Sequence, residues 1–190
     1  MANQLIENKE FKSVNFQESP LEKGEYEYCS FTNCVFTNAD LSNIIFVECQ
    51  FDKCDLSMAN IKNTAFRETK FMSCKMVGVN FEACNSFLIS FSFEDCFLHL
   101  ASFYALKLKE TRFKKCNLQE VDFTETNLSG SIFENCDLSR AIFERTNLEK
   151  VDFRSSYNYS IDPELNNIRK AKFSREEVIG LLCKYNIEIE

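Results

Sequence analysis

The chain has 190 residues, a formal net charge of −7, 20 phenylalanines, 10 cysteines and no tryptophan, with only 4 glycines and 2 prolines. That length suits one domain with a sizeable core, and the acidic balance argues against a general binder of nucleic acid or anionic membrane, which needs a basic excess. No stretch approaches the roughly 18 consecutive apolar residues of a membrane span, and MANQLIENKEF has no basic region leading into an apolar run, so no secretory signal is read and a cytoplasmic location is expected.

Residues 1–10 show no period and are expected to cover the N-terminal end. From Phe11 every fifth residue is large and apolar: Phe11, Phe16, Leu21, Tyr26, Phe31, Phe36, Leu41, Phe46 and so on to Phe81. The spacing is neither the 2 of a strand nor the 3.6 of a helix. The run resumes at Leu88 and continues through Phe93, Leu98 and Phe103 to Phe153, so that 16 of the 20 phenylalanines lie on the lattice. Two residues before each lattice position the side chain is compact, and 8 of the 10 cysteines stand there. Asp or Asn often falls between the two.

Identical residues also recur at an interval of 20, as in Cys34, Cys54 and Cys74, or Cys96, Cys116 and Cys136. Such residues stack in a column if successive coils lie about 4.8 Å apart, the spacing of hydrogen-bonded strands. An interval of 22 links Phe71 to Phe93 and Cys74 to Cys96. A two-residue bulge near 82–87 is therefore expected, with Glu82–Asn85 favoured. A slightly later placement, with Ser86 on the lattice and Cys84 in a column, fits less well.

After Phe153 the period lapses and Pro163 stops it. Ser174 with Glu177 three residues later is a capping box. Val178, Ile179, Leu181, Leu182 and Tyr185 then form one apolar stripe of a short α-helix. The stripe either plugs the last coil or pairs with a second copy.

The units NADL, KCDL, MANI, KCNL, EVDF, ETNL and NCDL resemble the pentapeptide repeat family, over about residues 9–155. The resemblance implies an all-β fold, a right-handed quadrilateral β-helix of about seven coils. Each five-residue unit makes one side and four units make a coil. The repeats would span 11–155, and 156–190 would form a C-terminal cap with its α-helix and a possible dimerisation segment.

No chemistry is legible. The chain's one histidine, His99, has no nucleophile motif around it, there is no C-x-x-C, and the glycines are scattered. Neither metal nor cofactor is expected, and the protein is read as a non-enzyme. The cysteines are expected to be buried, compact and reduced.

Charge is segregated: net −6 over residues 1–60, +4 over 61–115 and −5 over 116–153. The resemblance extends to the quinolone-resistance group of the family, whose rods are about as wide as B-DNA. They bind DNA gyrase and topoisomerase IV where DNA would lie and join end to end through their C-terminal caps. It implies a homodimer here through Val178, Ile179, Leu181, Leu182 and Tyr185. It also implies a partner-binding acidic face at Asp122, Glu125 and Glu144, then Glu120 and Asp137, with no direct contact to nucleic acid or membrane. Members that protect gyrase from quinolones carry two longer projecting loops, which this chain lacks. The alternative function is a structural scaffold or adaptor that binds another protein through its flat faces.

Overall fold

The unit Val121–Glu125 displays the local rule. In the computed structural model, which describes residues 4–188, Val121 and Phe123 point inward and are fully buried, while Asp122 and Thr124 point outward. Glu125 turns the corner with φ 58°. The Asp122 carboxylate accepts a hydrogen bond from the Thr124 N–H at 2.8 Å. The same bond recurs where Asp55, Asn117, Asn127 and Asn147 accept from the N–H groups of Ser57, Gln119, Ser129 and Glu149. This Asx turn is why Asp and Asn occupy that position. The left-handed corner costs about 1–2 kcal/mol for a non-glycine residue, but its N–H reaches the next coil: Glu125 donates to the Glu144 carbonyl at 2.8 Å.

Four such units make a square coil, and the coils stack in parallel as a right-handed quadrilateral β-helix. One side holds four parallel strands, Leu5–Glu7, Glu25–Glu27, Ile45–Val47 and Ala65–Arg67. The next holds seven, from Glu10–Lys12 to Ile132–Glu134. The other two sides are joined by single parallel bridges such as Asn117 to Asp137 and Asp122 to Ile142. Residues 5–10 thus belong to the first coil, while the first three residues of the expected N-terminal cover lie outside the described residues.

The interior is a set of columns. Phe11, Phe31, Phe51, Phe71, Phe93, Phe113, Phe133, Phe153 and Phe173 stack with ring centroids 4.6–5.6 Å apart and planes within 21°. The rings meet neighbouring columns edge to face, as Phe113 meets Phe123 at 5.9 Å and 82°. Phe173 and the bridge from Asp152 to Lys172 carry the stack past residue 155.

The small inward residues have a polar task. The Cys136 thiol donates to the Phe113 carbonyl at 3.4 Å, and Cys34, Cys54 and Cys74 do the same to Phe11, Phe31 and Phe51. Thr126, Thr146 and Ser156 donate to Phe103, Phe123 and Phe133 at 2.8–2.9 Å. A thiol, a hydroxyl and an amide (Asn166 to Phe143) are interchangeable here because each is a compact donor. Nine of the cysteines are buried free thiols and Cys183 is exposed.

The structure moves the insertion. Register holds through Asn85, which bridges Ala65 and whose side chain accepts the Phe87 N–H at 2.9 Å. Cys84 is buried in a column. The lattice position is Ser86, so the later placement is the correct one and the extra residues fall within Ser86–Ser90. Leu88 is a corner residue, with φ 57° and 65% exposure, and not the inward residue expected. Ser86 gives the core nothing, and Phe91 enters instead, 5% exposed, with its ring centroid 5.5 Å from that of Phe81.

The C-terminal α-helix is replaced by two 3₁₀ turns, Val178–Leu181 and Cys183–Tyr185. Half of the capping box forms, since the Glu177 N–H donates to Ser174 Oγ at 3.1 Å. The Glu177 carboxylate instead accepts the Asn158 N–H. The Gly180 carbonyl, which an α-helix would offer to residue 184, accepts the Ile161 N–H at 3.0 Å. A Cβ at Gly180 would lie 2.2 Å from the Tyr159 carbonyl oxygen, so only glycine permits this docking.

Two outcomes test these assignments. Phe123→Ala is expected to cost about 3–5 kcal/mol by opening a cavity in a continuous column, whereas outward Thr124→Ala costs under about 0.5 kcal/mol, both measured by denaturant unfolding. Burial pushes the Cys49 and Cys84 thiols up to about 12. An unfolded thiol titrates near about 8.5, so stability present below that pH is lost progressively as pH rises toward 12. The urea midpoint is expected to fall between about pH 8 and pH 10.5, and to fall less in Cys49→Ser.

Candidate partner-binding surface

The rod offers faces in place of a deep site. One concavity, of about 360 Å³, is an open groove beside the insertion, bordered by Glu48, Glu68, Glu110, Lys70 and Arg112. Among the described residues no group of three His, Cys, Asp or Glu side chains is placed to hold a metal ion. His99 lies on an outer side, its Nδ1 3.0 Å from the Gln119 carbonyl.

The five carboxylates singled out from sequence occupy different roles. Asp122 and Glu144 lie on the side built on Phe123 and Phe143, where Asp122 bridges Ile142. Asp122 is half-buried and engaged in its Asx turn. Glu125 accepts two hydrogen bonds from Arg145, at 3.0 and 2.8 Å, and one from the Tyr104 hydroxyl at 3.2 Å. Glu120 pairs with Arg140 at 3.5 Å. Asp137 accepts from Gln119 at 2.6 Å, Ser139 Oγ at 2.6 Å and Asn158 at 3.0 Å. Burial works to raise its carboxyl, but hydrogen bonds from Ser139, Asn158 and Gln119 outweigh that and hold it below the usual range. Glu144 is exposed and makes no ion pair among the described residues.

The ion pairs of Glu120 and Glu125 follow from the coil repeat. Glu120 with Arg140 and Glu125 with Arg145 are 20 apart, which places them on the same corner of successive coils. Lys114 and Glu94 obey the same interval. Exposed pairs of this kind contribute little to stability, but they offset part of the negative charge of Glu120 and Glu125 locally.

A second acidic surface was not singled out by sequence. Glu7, Glu25, Glu27, Glu48 and Glu68 lie on the four-stranded side and its corner, and none has an ion-pair partner among the described residues. The net −6 of residues 1–60 and the intervals Glu7 to Glu27 and Glu48 to Glu68 carried that signal.

The tail stripe is divided. Leu181 and Leu182 are half-buried, while Val178, Ile179 and Tyr185 are 42%, 47% and 52% exposed. Leu165 and Ile187 add to the apolar surface at this end.

The profile of the pentapeptide repeat region matches residues 86–160, and that of pentapeptide repeats matches 29–67 and 49–85. No curated protein matches the chain. Among solved structures, a trypsin-treated form of QnrB1, described as a plasmid-mediated fluoroquinolone resistance protein, is similar at TM-score 0.77 and 18% identity. The match covers 100% of this chain and 92% of that one. Full-length QnrB1 is similar at TM-score 0.57 and 19% identity, over 97% of this chain and 100% of that one. At such identities the likeness is one of fold. No helix among the described residues is long and apolar enough to cross a membrane.

The geometry separates structural carboxylates from free ones. Asp137→Ala, which orphans several donors, is expected to cost about 1–3 kcal/mol. Glu144→Ala should leave the unfolding midpoint unchanged. Thermal and urea melts of the two variants check this.

Proposed function

The chain belongs to the pentapeptide repeat family, and from that premise we propose that it is a non-enzymatic, DNA-mimicking protein that binds a type II topoisomerase, DNA gyrase or topoisomerase IV. It would modulate that enzyme's activity or its quinolone sensitivity. One observation carries the reading: the outward surface of residues 116–153 keeps a net charge of −5, with Glu144 exposed and free of an ion pair among the described residues. DNA presents a regular ladder of negative charge, and a basic saddle built to neutralise phosphates would accept such a surface. The likeness of fold to a fluoroquinolone resistance protein supports the same reading.

Asp122, Glu125 and Glu144, with Glu120 and Asp137, remain the proposed contact face, and Glu144 is its unpaired member. The proposed homodimer joins two rods through the exposed part of the tail stripe, since a two-fold interface uses the same patch twice. The scaffold reading is favoured by the ion pairs of Glu120 and Glu125, which spend two of these carboxylates inside the rod's own surface.

A supercoiling assay with purified gyrase, with and without a quinolone, tests the proposal. The protein is expected to inhibit supercoiling or relieve drug inhibition, with binding that weakens steeply as salt rises. Glu144→Lys should weaken the effect while the fold is retained. A folded protein without effect on gyrase at any ratio would transfer the reading to the scaffold.

A further inference from the structure

We propose that a second copy of this chain docks antiparallel along the four-stranded side, with Phe87 and Leu88 at the two-fold axis. The corner of that side is a column of left-handed residues: Asn8, Tyr28, Glu48, Glu68, Leu88, Glu110, Gly130, Lys150 and Lys170. Leu88 is its midpoint, with four coils on either hand. It is also where the column becomes apolar. Phe87 and Leu88, at 66% and 65%, are the most exposed large apolar residues among those described.

The two arms of the column differ in charge. Toward the N-terminus the side and corner carry Glu7, Glu25, Glu27, Glu48 and Glu68 against Arg67. Toward the C-terminus they carry Lys107, Lys109, Lys150, Arg169 and Lys170 against Glu110 and Glu149. Arg169 and Lys170 are exposed and make no ion pair among the described residues. A two-fold axis through Leu88, perpendicular to the rod, sets Arg169 and Lys170 of one copy against Glu7 and Asn8 of the other. It sets Lys150 and Glu149 against Tyr28 and Glu27, where Lys150 faces Glu27 on the diagonal. Near the axis Glu68 meets Glu110, but Arg67 and Lys109 stand beside them, so the pairs form on the diagonal.

The same operation superposes the two apolar knobs. The result is an apolar centre rimmed by complementary charge, the usual anatomy of a specific interface. A parallel arrangement would set the acidic arms against each other, so charge selects the antiparallel one. Because the axis is a two-fold, the contact closes at a dimer. This face is separate from the tail stripe and from the side that bears Asp122 and Glu144, so the inference stands or falls apart from topoisomerase binding.

Sedimentation equilibrium on the full chain tests it. In a Leu182→Glu background, which removes the tail contact proposed above, the chain is expected to form a dimer that weakens with salt. The double variant Phe87→Asp, Leu88→Asp, whose side chains are exposed and whose second aspartate tolerates a left-handed corner, should raise the dissociation constant at least about tenfold. Glu7→Lys with Glu27→Lys should do likewise, as should Arg169→Glu with Lys170→Glu, and combining the two reversals in one chain should restore association. Leu182→Glu should leave this contact intact. In a Cys183→Ser background, Leu88→Cys should give a disulfide-linked dimer under mild oxidant. A wild-type monomer at submillimolar concentration in low salt would overturn the proposal. So would a dimer lost in Leu182→Glu but untouched by the Phe87 and Leu88 changes, or charge reversals that fail to compensate.

Discussion

The rod depends on one constraint, the main-chain hydrogen bonding of each coil to the coil 20 residues further on. Glu125 N–H to Glu144 C=O and Asp122 N–H to Ala101 C=O are two of its rungs, at 2.8 and 3.0 Å. With backbone groups satisfied between coils, no conventional two-layer core is required. The constraint fixes the distance between equivalent side chains, and so decides what can stand in a column. Flat rings stack well at this spacing, which accounts for an unbroken phenyl ladder from Phe11 to Phe173. The compact inward position completes the arrangement, because its thiol or hydroxyl supplies a donor to a carbonyl of the preceding coil. Cysteine in this protein is a packing residue with a hydrogen bond to give, and its burial follows from that.

The same repeat organises the surface. Charges 20 residues apart become neighbours, and two ion pairs run along the corners in this way: Glu120 with Arg140, Glu125 with Arg145. Where the repeat brings like charges together, as at Glu48 and Glu68, they stay unpaired and build a field. Net charge over a stretch of sequence is therefore a poor guide to potential. Residues 116–153 are as acidic in composition as the N-terminal third, yet their carboxylates are largely committed to arginines and turns.

The insertion at Ser86–Ser90 shows how little is needed to give such a rod a distinctive feature. Two added residues push Phe87 and Leu88 into solvent and draw Phe91 into the core in exchange. The columns resume in register at once, since Phe71 and Phe93 still stack at 5.3 Å. At the far end, Gly180 and Ile161 fasten the tail by a backbone contact, which leaves Val178, Ile179 and Tyr185 outward.

By itself the sequence determined the five-residue unit, the coil of 20, the identity of the columns, the inward cysteines and the existence of a two-residue insertion. These are legible because inward positions face a nearly identical environment in every coil, and the same residue types recur. The placement of the insertion was not legible: Leu88 is apolar and falls on the arithmetic of the lattice, whereas hydrogen bonding through Asn85 puts Ser86 there and Leu88 at the corner. Nor was the tail, where helical periodicity in Val178–Tyr185 gave way to 3₁₀ turns because the Gly180 carbonyl accepts the Ile161 N–H instead of one a turn further along the tail. Which carboxylates of Asp122, Glu125, Glu144, Glu120 and Asp137 are free was decided only by the stacking. Outward residues have no fixed partner in sequence, and their pairing is a property of the coil above and the coil below.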